Sequence, residues 1–114
     1  MQRMFQQVIN LGPALAANHT ASFILPFNAQ LVHVSAGNSS ANAGKIDIGS
    51  SADADLYLDD KTFGVSGTPA EFELADFVGA AYPHVAEGTV IKVTITDHAS
   101  HMANVCVILT WTEG

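Results

Sequence analysis

Apolar and polar residues alternate with a period of two along most of this chain, the pattern of a strand buried on one face. The alternation is sharpest near the C-terminus. There Ile91, Val93 and Ile95 alternate with Lys92, Thr94 and Thr96, and Val105, Val107, Leu109 and Trp111 alternate with Cys106, Ile108, Thr110 and Thr112. The two runs are expected to pair as a hairpin across the loop 97–103. Both faces of the second run are largely apolar, as in a central strand covered by the core on one side and by a partner on the other.

The same signal recurs upstream. Val32 and Val34 flank His33, Ile46 and Ile48 alternate with Lys45 and Asp47, and Leu56 and Leu58 alternate with Asp55 and Tyr57. Phe23, Leu25 and Phe27 predict another strand, but Pro26 cannot donate to a ladder, so this strand belongs at an edge or a bulge. Residues 3–11 read as a first strand, broken by Gly12-Pro13. Thr68-Pro69-Ala70-Glu71 is a capping-box signature with proline at the first helical position, so a helical turn or two over 69–78 competes there with a strand through Phe72 and Leu74. The Gly-, Ser-, Asn- and Asp-rich segments 37–44 and 49–53 read as loops. The fold class expected is all-β: a single antiparallel β-sandwich, jelly-roll-like, with at most one or two short helical turns.

Size and charge narrow the function classes. A chain of 114 residues holds one domain. Four Lys+Arg against eleven Asp+Glu give a net charge of −7, which disfavours nucleic acid as a partner. Charged residues make up only 13%, against about 25% in ordinary soluble domains, while 48% are hydrophobic. Such a surface is expected to be covered by oligomerisation or docking. No segment approaches the roughly 20 apolar residues of a membrane-spanning helix, and no membrane partner is expected. Arg3 and the Ala14-Leu15-Ala16 triplet mimic a secretory leader, but Gln6, Gln7, Asn10 and Gly12-Pro13 interrupt the apolar run, and that reading is rejected. Asn18-His19-Thr20 and Asn38-Ser39-Ser40 match the glycosylation pattern, a match without consequence unless the chain is secreted.

The densest polar feature is the segment from Asp53 to Asp60. Strand alternation would set Asp53, Asp55 and Asp59 on one face, opposite Leu56 and Leu58, and carboxylates so arranged are calcium candidates. The spacing is not that of an EF-hand loop, because Tyr57 takes a ligand position and the turn glycine is missing; solvated loop carboxylates are the plainer reading. His98, His101 and Asp97 share a loop but lack the further ligands a metal needs. His19, His33 and His84 are scattered, with His33 expected on a strand's outer face. Cys106 reads as a small buried hydrophobe. Nucleophile-elbow, phosphate-cradling and dinucleotide patterns are missing, and the carboxylate pair Glu71 and Glu73 has little weight in so acidic a chain. No catalytic residue, cofactor or enzymatic activity is expected.

The second half resembles a known group. Ile46-Asp47-Ile48-Gly49, the acidic run 53–60, Gly67-Thr68-Pro69, Phe77-Val78-Gly79, Tyr82-Pro83-His84, Gly88-Thr89-Val90 and the closing Leu109-Thr110-Trp111-Thr112-Glu113-Gly114 resemble small β-sandwich structural proteins of tailed-bacteriophage virions, above all capsid decoration (cement) proteins. The resemblance spans roughly residues 20–114, the expected sandwich domain. It leaves residues 1–19 as an N-terminal arm or first strand. It implies a homotrimer that binds the major capsid protein on the capsid's outer surface and stabilises the shell. The alternative is a carbohydrate-binding β-sandwich module or a phage fibre or tail component. Such a module would use Tyr57, Tyr82 and Trp111 as platforms, but Trp111 shares strand parity with Val107 and Leu109 and reads as core.

Overall fold

The computed structural model of the chain describes residues 3–114. Among them, nine strands form two antiparallel sheets: β1 (Met4–Leu11), β2 (His19–Ile24), β3 (Ala29–Gly37), β4 (Lys45–Ser50), β5 (Leu58–Thr62), β6 (Ala70–Phe72), β7 (His84–Val85), β8 (Val90–Thr96) and β9 (Val105–Glu113). One sheet runs β1-β9-β3-β6, with β7 also on β3, and the other runs β2-β8-β4-β5. β6 pairs with the second half of β3 and β7 with its start, so the two share one lane. Each sheet thus has four lanes. Apart from the β4–β5 and β6–β7 links, every connection passes from one sheet to the other, as in a jelly roll. The sandwich is elongated, with extents of 42 × 24 × 23 Å.

Strand parity decides which residues enter the core. Ile91, Val93 and Ile95 of β8 and Val105, Val107, Leu109 and Trp111 of β9 are all buried, together with Ile46 and Ile48 of β4. Inward alternation is therefore as the sequence predicts, but the predicted hairpin is not formed. β8 pairs with β2 and β4, β9 pairs with β1 and β3, and the loop 97–103 carries the chain between the sheets. Two strands with apolar inner faces can satisfy them by facing each other across the core as well as by lying side by side, and here they do the former. β9 is central in its sheet, between β1 and β3.

Other expectations shift by a few residues. The strand expected around Phe23 to Phe27 is an edge strand, but β2 ends at Ile24, so Pro26 falls outside the ladder. A register shift between Leu31 and His33 inserts Val32 as an extra residue, which leaves Leu31 and Val34 buried and Val32 only half-buried. β5 starts at Leu58, which is buried, whereas Leu56 lies in the preceding turn and is exposed. Over 69–78 both competing readings hold in part. Ala70–Phe72 is strand, and single 3₁₀ turns follow at Leu74–Asp76 and Val78–Ala80. The box that starts the first turn is formed by Glu73 and Asp76, not by Thr68 and Glu71.

Candidate interaction surface

The pairing registers lay out the outer face of the β1-β9-β3 sheet in rows. Val8 lies beside Ile108, which lies beside Ser35; Gln6 beside Thr110 and His33; Met4 beside Thr112 and Gln30; Asn10 beside Cys106 and Gly37. Gln6 Nε2 donates to Thr110 Oγ1 at 3.1 Å, tying two of these strands together. Between Met4 and Thr112, the outward positions of β1, β9 and β3 hold no Asp, Glu, Lys or Arg. Met4 is 67% exposed and Val8 46%. A shallow groove of about 340 Å³ opens beside Met4, Phe5, Gln6 and Thr110. One residue beyond this row, Arg3 Nε donates to Glu113 Oε2 at 3.0 Å, and the Arg3 guanidinium lies 4.0 Å over the Phe27 ring. That pair holds the Glu113 carboxyl below its usual range and raises the Arg3 guanidinium.

The opposite sheet has the contrary character. Its strands carry Lys45, Lys61 and Lys92, three of the four Lys+Arg in the chain. They also carry Asp47, Asp59 and Asp60, beside the turn that holds Asp53 and Asp55. Carboxylate oxygens of Asp47, Asp55 and Asp59 lie within 4.8 Å of one another. Strand alternation predicts Asp53 in this group, with Asp55 and Asp59. Asp53 and Asp55 lie instead in two successive turns, with Ser50 N–H and Leu56 N–H donating to the Asp53 carbonyl at 2.8 and 3.4 Å. Asp47 completes the triple because β4 and β5 are neighbours, which no local pattern reports. Asp53 remains in contact: its hydrogen bond and charge, with the charge of Asp59, raise the Asp55 carboxyl above its usual range.

His33 faces outward on β3, as expected, and its Nε2 lies 3.3 Å from Glu71 Oε1 and 4.0 Å from Glu73 Oε1. The carboxylate pair Glu71 and Glu73, of little weight in the sequence alone, thus meets a histidine through β3–β6 pairing. Asp97, His98 and His101 are brought together, but as the frame of a loop. Asp97 accepts from the His98 and Met102 N–H groups, and the His98 ring nitrogen Nδ1 accepts from Ser100 N–H. Buried Asn38 does similar work nearby, its amide donating to the carbonyls of Asn42 and Gly64. Its side chain is thereby committed inside the fold, out of reach of a glycan. Sequence reading missed both organisers, although an Asx residue opening a Gly/Ser/Asn loop is a signal for one.

Two further expectations concern single residues. Cys106 is half-buried on the outer face, not in the core, because Val105 and Val107 take the inward positions. Trp111 is fully buried, packed near Phe5 and Phe23 at centroid distances of 6.0 and 6.4 Å, so it cannot act as a sugar platform. Tyr57 and Tyr82 are half-buried, and burial raises the Tyr57 hydroxyl above its usual range.

No protein-family model matches the chain, and no curated protein matches it. Solved structures do. A chain of the cyanophage Pam1 capsid asymmetric unit is similar at a TM-score of 0.65 and 16% identity, over 97% of this chain and 82% of that one. The coat protein of Tobacco streak virus has a TM-score of 0.44 and 8% identity, over 98% and 86% of the two chains. A Paenibacillus cycloisomaltooligosaccharide glucanotransferase has 0.39 and 9%, over 96% of this chain and 17% of its own. At those scores the last two carry no weight. The first likeness, over nearly all of this chain and most of the other, shows that this chain shares the fold of a chain in that phage's capsid unit.

Proposed function

We propose that the chain is a non-enzymatic structural protein of a virion, and within that class a decoration protein that binds the outer surface of a phage capsid and stabilises it. The observation that carries the reading is a jelly roll whose likeness to a chain of a cyanophage capsid unit takes in nearly the whole of this chain and most of that one. The resemblance of residues 20–114 to cement proteins supports the same role. The uncharged outer face of β1, β9 and β3 supplies a surface suited to burial, and the net charge of −7 keeps the protein off the packaged genome. Its partner is the major capsid protein, engaged at a site built by several coat subunits. A homo-oligomer gains affinity there because contacts after the first become intramolecular.

Purified protein mixed with heads that lack it tests the reading. Saturable binding at a fixed ratio to coat subunits, with increased heat resistance of the heads, is the expected result. Absence of binding, or binding confined to tails, removes the decoration role and favours a fibre or tail component.

A further inference from the structure

Four lanes end the two sheets: β1 and β6/β7 in one, β2 and β5 in the other. An open edge presents unpaired N–H and C=O groups, and folded chains ordinarily blunt it with short strands, charges, proline or bulges. β6 and β7 have three and two residues. β5 carries Asp59, Asp60 and Lys61, and its pairing with β4 is broken by a register shift. β2 has six residues, and the face beside it carries Lys92, Lys45 and Asp47. β1 has none of these protections: it is eight residues long, Met-Phe-Gln-Gln-Val-Ile-Asn-Leu, uncharged, and in unbroken register with β9.

The phase of the β1 ladder identifies the free groups. Glu113 N–H donates to the Arg3 carbonyl at 2.7 Å, so Arg3 belongs to a hydrogen-bonded pair. Such pairs alternate along an antiparallel ladder. Phe5, Gln7, Ile9 and Leu11 therefore bond to β9, and Met4, Gln6, Val8 and Asn10 turn their backbone groups to the open side. The same four residues point their side chains to the uncharged outer face.

We infer that β1 pairs antiparallel with β1 of a second copy of this chain about a twofold axis, joining the two β1-β9-β3 sheets into one continuous sheet. Charge selects this occupant. A basic partner would be drawn to the aspartates around β5, whereas the neutral edge offers it nothing. Two copies each at −7 repel wherever their acids meet, and at β1 they meet without any. Antiparallel self-pairing sets Met, Gln, Val and Asn opposite one another and keeps outward side chains on one face. The contact is isologous, so it closes at two copies. The trimer implied by the resemblance would need a different surface. The inference concerns the free protein and stands or falls apart from the virion role.

Sedimentation of the whole chain at tens of micromolar should show a dimer. Val8→Lys sets like charges together at the edge and Gln6→Pro removes an outward N–H; each should weaken the dimer by about a hundredfold, that is by ~2.7 kcal/mol. Ser22→Lys, on the competing β2 edge, should leave it intact. Amide exchange needs no variant: the N–H groups of Gln6 and Val8 should be protected in concentrated wild-type protein and lose that protection on dilution. A monomeric or trimeric wild type, a dimer that survives Val8→Lys, or exchange at Gln6 and Val8 independent of concentration would overturn the pairing.

Discussion

The carboxylate of Asp97 lies 2.6 Å from Nδ1 of His101, while its other oxygen accepts the N–H groups of His98 and Met102 at 2.9 Å each. The Asp97 side chain is only 6% exposed. It stands where the chain leaves β8 and crosses to β9, so these bonds hold the passage between the sheets. Burial alone would raise this carboxyl, but the hydrogen bonds from His101, Met102 and His98 outweigh it and hold it below the usual range.

A lowered carboxyl stabilises the fold above its unfolded pKa and loses that contribution as pH falls through the folded value. Wild-type stability should therefore drop below about pH 4. Asp97→Asn should flatten this part of the profile. Asp97→Ala should cost about 1–3 kcal/mol at pH 7, since it leaves two N–H groups without an acceptor. Urea unfolding across a pH series measures all three effects.

Asn38 is 3% exposed, and its oxygen accepts from Ser40 N–H and Oγ while its amide serves two carbonyls. Asn38→Ala strands several of these groups and should cost about 2 kcal/mol. Asn38→Asp should cost more, because a carboxylate then faces the carbonyls of Asn42 and Gly64. Comparison of the two variants by chemical denaturation checks the order.

The raised carboxyl of Asp55 has the opposite sign to that of Asp97. Its ionisation is penalised in the folded chain, so the fold loses stability as pH rises through the range between its unfolded and folded values. Asp55→Asn should raise Tm at pH 7 and leave it unchanged at low pH. Calcium and EDTA should leave the wild-type melt where it is. An ion bound at a hundred times its Kd would add about 2.7 kcal/mol, and the resulting upward shift would establish a site among Asp47, Asp55 and Asp59.

Trp111 fills the centre of the core, and among the described residues its buried Nε1 has no hydrogen-bond partner. Trp111→Phe removes that unsatisfied donor along with some volume. It should be tolerated far better than Trp111→Ala, for which about 3–5 kcal/mol is expected. Thermal unfolding of the two variants should separate them clearly.

The residue pattern alone carried the existence of most strands, the inward sides of β8 and β9, the break at Gly12-Pro13 and the edge position of β2. These are local properties, since a strand's faces alternate whatever lies beside it. The partners of each strand were not legible. Ile91 to Ile95 and Val105 to Trp111 face each other across the core instead of pairing, a choice between two ways of burying the same apolar faces that only the whole chain makes. The extra residue at Val32, the entry of Asp47 into the aspartate group and the meeting of His33 with Glu71 all follow from register between strands distant in sequence. Alternation determined which side of each strand is wet; the tertiary structure decided which wet sides adjoin, and so left the outward positions of β1, β9 and β3 without Asp, Glu, Lys or Arg and β1 with an open edge.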